Sequence, residues 1–120
     1  MNQSSRKILN FMLDTQGFNN MRPAAIAHEL EKVSKHWVDV LWFENHEDTV
    51  LVIPKSDGES QARCELVGHR TDADEVDFMT AERALDLLKM GYGGHLDNIQ
   101  LKLVNRKLKG VTSVLRLWWD

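Results

Sequence analysis

The stretch HWVDVLWFENHEDTVLVIP, residues 36–54, constrains this chain more than any other. Two apolar runs flank the polar turn ENHEDT. Coiled into a helix, the first run buries Trp37, Val38, Leu41 and Trp42 and leaves Val40 and Phe43 close to the outward face. Extended, it sends Val38, Val40 and Trp42 to one side and Trp37, Asp39, Leu41 and Phe43 to the other. Tryptophan, valine and phenylalanine suit a pleated surface, so the residues favour an extended backbone over 36–44. TVLVIP continues as a second strand, ended by Pro54. Such a strand, apolar on both sides, belongs either in the middle of a two-faced sheet or in a contact surface.

The rest of the chain is read around this centre. SSRKILNFMLDT, residues 4–15, gathers Ile8, Leu9, Met12 and Leu13 on one helical face, with Ser4 or Ser5 as its cap. QGFNN breaks it. A second helix opens at Arg22-Pro23, where proline suits the first turn, and buries Ala24, Ala27 and Leu30. Glu31 and Lys35 have the spacing of a surface pair. KSDGESQ reads as a turn around Asp57-Gly58, and ARCELVGH as a third strand. RTDADEVD reads as an acidic loop. Thr80 caps a helix over AERALDLLKM that turns Ala84, Leu87 and Leu88 inward. GYGG, residues 91–94, stops it, with Gly91 as a left-handed cap. NIQLKLV alternates in period two, and with GVTSVLRLWW it makes a closing hairpin about the turn NRKLKG. A helix over residues 96–109 is the competing reading.

The expected fold is therefore a single α+β domain over residues 1–120. Two N-terminal helices precede a three-stranded antiparallel meander (residues 36–68), one helix and a C-terminal β-hairpin. The helices cover one face of the sheet, and a second copy or a partner covers the other. The chain's 120 residues, 42% hydrophobic and 28% charged, suit one water-soluble domain with its own core. No apolar run is long enough to cross a membrane, and MNQSSRKILNFMLDTQG lacks the pattern of a signal peptide. The single cysteine, Cys64, excludes an internal disulfide. A reducing cytoplasm is the expected compartment.

Charge is uneven. Residues 44–86 carry twelve acids against four bases, whereas residues 96–120 carry five bases against two acids. The acidic middle suits a basic partner.

Little along the chain points to catalytic or metal chemistry. His28-Glu29 begins like a zinc-protease helix, but the next histidine is His36, which breaks the four-residue spacing. His46, His69, His95 and Cys64 show no diagnostic ligand spacing. Asp72, Asp74, Glu75 and Asp77 lack the glycine and terminal glutamate of a calcium loop. Cys64 beside His69 or His95 is a conceivable nucleophile, although a strand cysteine is more simply a small buried hydrophobe. GYGG follows a helix and so meets the wrong end of its dipole for an anion. The sequence calls for no metal, no cofactor and no catalytic residue.

RPAAIAHELEKVSKHWVDVL loosely resembles the helix-turn-helix motif, with Ala27 at the helix contact, Leu30 after it and Val33-Ser34 at the turn. That resemblance implies a winged-helix DNA-binding regulator, with Lys32, Lys35 and His36 facing nucleic acid and residues 49–67 as the wing. The customary turn glycine is absent, and residues 1–45 hold five bases against five acids, a neutral field for a polyanion. The expectation from the residues themselves is a non-enzymatic protein-interaction module of accessory, inhibitor or immunity type, forming a homodimer. Its contact residues are Trp37, Trp42, Phe43, Trp118 and Trp119, because adjacent tryptophans on a strand point to opposite faces and exposed aromatics anchor interfaces.

Overall fold

A computed structural model describes residues 1–17, 20–90 and 96–120. Helices α1 (Gln3–Leu13) and α2 (Pro23–Lys32) lead through a short 3-10 turn, Ser34–His36, into strands β1 (Trp37–Phe43) and β2 (His46–Pro54). Helix α3 (Gly58–Arg70), strand β3 (Glu75–Met79), helices α4 (Ala81–Lys89) and α5 (Asn98–Leu108) and strand β4 (Val114–Trp118) follow. The strands form one sheet in the order β1-β2-β4-β3, with every neighbouring pair antiparallel. The α+β class agrees with the sequence, and β1 is extended where the opening stretch demanded it.

The arrangement differs from the expected one in four places. ARCELVGH is not a third strand but the body of α3. Asp57 accepts the Ser60 N–H at 2.7 Å and so starts a helix where a turn was expected. The supposed acidic loop supplies β3. The period-two stretch NIQLKLV is helical in α5, fixed by a reciprocal capping box between Asp97 and Gln100. With no hairpin partner of its own, β4 inserts between β2 and β3.

Smaller local readings also change. Asn2, not Ser4 or Ser5, caps α1 through its side chain. Glu31 pairs with Arg6 at 2.8 Å rather than with Lys35, which lies in the 3-10 turn. Thr80 caps α4 as expected, accepting the Arg83 N–H. Gly91, the GYGG stop and His95 lie outside the described residues.

Helices cover both faces of the sheet. Helices α1, α2 and α3 pack on one side over a core that includes Leu9, Met12, Ile26, Leu30, Val40, Val50, Cys64, Leu117 and Trp119. Helices α4 and α5 pack on the other over Leu41, Leu51, Ile53 and Val114, contributing Ala84, Leu88, Val104 and Leu108. This corrects the expectation that a second copy or a partner covers the second face: the chain covers much of it itself.

Strand β1 carries an irregularity that the alternation did not anticipate. Trp37 lies opposite Pro54 and Asp39 opposite Ile53, so Val38 is an extra residue in the ladder. The bulge sends Val38 outward, half exposed, and brings Trp37 to the same side as Val40 and Trp42. The Trp37 indole N–H donates to the Leu30 carbonyl at 2.9 Å, tying the strand to the end of α2.

Candidate interaction surface

Helices α4 and α5 do not reach the far end of their sheet face. Pairing across β2, β4 and β3 places Trp118 between Thr49 and Glu75, and Arg116 between Leu51 and Asp77. These rows continue the face beyond the apolar patch under the helices. Between them and the flank of α4, where Arg83 and Leu87 project, lies a cleft of about 750 Å³. Asp77 and Met79 line it along the β3 edge.

The floor of the cleft is held in place by its own contacts. Arg116 Nη1 lies 2.6 Å from Glu75 Oε2, and its guanidinium carbon lies 5.9 Å from the centre of the Trp118 ring. The Trp118 indole N–H donates to Asp48 Oδ2 at 3.2 Å. Asp48, Trp118, Arg116 and Glu75 thus form a continuous chain across three strands. The Arg116 side chain is 12% exposed and that of Glu75 49%, so the guanidinium is a fixed element of the floor and the carboxylate an accessible rim. Among the described residues, the carboxylate of Asp77 and the guanidinium of Arg83 have no ion-pair partner.

Of the five aromatics proposed from sequence as contacts, the structure buries Trp37, Trp42 and Trp119 in the first core. Trp119 donates its indole N–H to the Thr71 carbonyl at 2.9 Å. Phe43 is half-buried against the α4–α5 core. Trp118 alone of the five lines the cleft. Its neighbour points to the opposite face, as adjacent strand residues must. Arg116 carries no contact signal in the sequence, and Asp77 stands there in an acidic stretch that hides β3.

The helix proposed to read DNA is not there. After α2 the chain makes only the 3-10 turn before β1 begins. Lys32 pairs with Glu29 at 3.0 Å, Lys35 is exposed, and His36 Nδ1 lies 2.9 Å from Ser60 Oγ. Residues 49–67 are no wing, because they divide between a central strand and α3.

His36, Ser60 and Asp57 have the composition of a hydrolytic triad but not its order. In a triad the imidazole bridges hydroxyl and carboxylate. Here Ser60 is the bridge, donating to Asp57 Oδ2 at 2.9 Å while it meets His36. Ser60 is 2% exposed, and its hydroxyl serves the cap of α3. Cys64 faces the core, and desolvation pushes its thiol up to about 12, the reverse of what a nucleophilic thiolate requires. His69 lies on the exposed side of α3 within reach of Glu65. Among the described residues, no group of three or more histidine, cysteine or acidic side chains converges to hold a metal. No described helix is long and apolar enough to cross a membrane.

A second depression, of about 610 Å³, opens at the other end of the sheet near Val38, Lys55 and Gly110. It has neither an aromatic floor nor an ion pair among the described residues.

Comparison with protein-family models, with curated proteins and with solved structures finds no match to this chain.

Proposed function

We propose that this chain is a protein-interaction module, of accessory, inhibitor or immunity type, and that it docks its partner in the cleft between α4, β4 and β3. The observation that carries the reading is the part of the second sheet face that α4 and α5 leave open, with Trp118 and Arg116 fixed on it. A preorganised aromatic–guanidinium floor adds contact area with little ordering cost on association, and tryptophan and arginine are the side chains that most often dominate binding energy. The partner is a different protein rather than a second copy, because the chain's own helices cover the apolar centre of both faces. A reducing cytoplasm suits a module whose single thiol stays buried and unpaired.

Selection from a displayed random-peptide library against the immobilised full chain tests this. Enriched peptides, titrated onto ¹⁵N-labelled protein, are expected to shift the amides of residues 75–79 and the Trp118 indole signal. Leu87→Glu is expected to abolish that binding while leaving the near-UV circular dichroism intact. Enrichment of nothing, or shifts centred away from the cleft, overturns the reading.

A further inference from the structure

We infer that the occupant of this surface is an extended basic segment that adds to β3 as a fifth strand. The inference rests on the docking face proposed above and names what that face takes.

Strand β3 ends the sheet: among the described residues no strand lies beyond it. Its outer row of backbone donors and acceptors is therefore available for strand addition. Side chains of an added strand fall into line with those of β3 on each face. On the cleft side its neighbours are Glu75, Asp77 and Met79. On the other side they are Val76, which packs on the first core, and Phe78, which is 37% exposed. The complement is a segment with alternating character: lysine or arginine toward the cleft and apolar residues toward Val76 and Phe78.

Charge chooses this occupant over the two alternatives. Every ionisable side chain from Asp72 to Met79 is acidic. A second copy of β3, paired antiparallel about a twofold axis at Glu75, Val76 or Asp77, sets an acid of the strand directly against an acid of its copy, and an axis at Phe78 leaves the two Asp77 carboxylates as diagonal neighbours about 8 Å apart. Like charges directly opposite each other are destabilising, so the same residues that invite a basic strand repel their own copy. An acidic segment meets the same repulsion. Arg83 belongs to α4 rather than to the edge strand, and Arg116 is already engaged by Glu75 and Trp118.

The test uses the full ¹⁵N-labelled chain and three blocked hexapeptides, alternating valine with lysine, with glutamate or with serine. The lysine peptide is expected to shift residues 75–79 and the Trp118 indole signal, to slow hydrogen exchange in β3, and to bind at least about tenfold more tightly than the glutamate peptide at low salt. Asp77→Asn is expected to weaken it several-fold, and Asp77→Lys to reverse the preference toward the glutamate peptide. Both substitutions fall on an exposed side chain with no hydrogen bond or ion pair among the described residues, so the fold tolerates them. Equal or tighter binding of the glutamate or serine peptide at the same residues overturns the basic occupant and leaves the docking face standing. Failure of all three to bind there overturns strand addition. Concentration-dependent dimers that form through residues 75–79 in sedimentation overturn it in favour of a second copy.

Discussion

Lys107 on α5 reaches over the β1 edge to Asp39, with Nζ 3.0 Å from Oδ1. The two side chains are 13% and 16% exposed. Ser5 donates to the same carboxylate oxygen at 2.9 Å, and Lys107 also meets the hydroxyl of Ser4. One ion pair thus joins the two helical layers around the sheet, with α1 on one side and α5 on the other. It also occupies the β1 edge: Asn2 donates to the Val38 carbonyl, and Ser5 accepts the Val40 N–H. Among the described residues, side chains hydrogen-bond to the sheet's backbone edge at β1, and none does so at β3.

Removing one partner of a mostly buried pair strands the other. Asp39→Ala is expected to destabilise the fold by about 2–3 kcal/mol, because it leaves the Lys107 ammonium without its counter-charge. The double variant Asp39→Ala/Lys107→Met is expected to recover part of that loss, since it removes both charges together. Urea unfolding of the two variants beside the parent chain measures the difference. Equal midpoints for all three would show that the pair contributes nothing to holding the layers.

Gly68 lies where α3 crosses the sheet. A Cβ built there falls 2.6 Å from Val76 Cγ2 and 2.7 Å from Leu117 Cδ2. Within a helix alanine is the better former by roughly 1 kcal/mol, so local propensity alone predicts that Gly68→Ala stabilises. Packing has the opposite sign, and overfilling a tight contact costs about 1–3 kcal/mol. The variant is expected to be less stable than the parent, and adding Val76→Ala is expected to restore part of the loss by opening the space. Thermal unfolding of the single and double variants reads the sign directly.

That helix also shows what was legible in the chain and what was not. Ser60, Cys64, Val67 and Gly68 are its buried positions, spaced for one helical face, and Asp57 stands three residues before Ser60 as a cap. A short apolar alternation, Cys64 with Leu66, competed with that signal and pointed to a strand. In α5 the capping pair Asp97 and Gln100 and the buried Val104 and Leu108 were equally available, but Ile99, Leu101 and Leu103 also fit period two. Residues in β3 alternate plainly, with Val76 and Phe78 against Glu75 and Asp77, yet their acids suggested a loop. β1 and β2 were legible because branched and aromatic residues left little alternative. The cleft was not legible, since it depends on how far α4 and α5 extend over the sheet, which no local pattern encodes. The tryptophan pair was half legible: opposite faces follow from the backbone, but not which of the two faces would be left open.

Cys64 offers a probe of opening. Its thiol is buried against the His36 carbonyl, with Sγ 3.6 Å from the oxygen, and burial raises it to about 12. In a mildly alkaline buffer the folded protein therefore holds almost no thiolate at this position. Reaction with a disulfide reagent is expected to be slow and to accelerate in step with unfolding in urea. Immediate stoichiometric labelling of the folded chain would contradict the burial of α3 against the sheet.

Asp57 gives the fold a component of acid sensitivity. The Ser60 backbone N–H first, and then the Ser60 hydroxyl, hold its carboxyl below the ordinary value of 3.8, while desolvation works weakly against them. A carboxyl depressed in the folded state adds stability that is present above its unfolded value and disappears as pH falls through its folded value. The contribution is thus intact near neutrality and lost in the acid range below about 4. Asp57→Asn separates the charge from the cap, because asparagine also accepts hydrogen bonds at a helix start. The variant is expected to be less stable than the parent at about pH 7 and to converge with it as pH falls through the folded-state value of Asp57, where the carboxyl is protonated. Urea midpoints at a series of pH values from neutral into the acid range measure the convergence. A gap that stays constant across them would place the cap's effect in hydrogen bonding alone and remove the charge from the account.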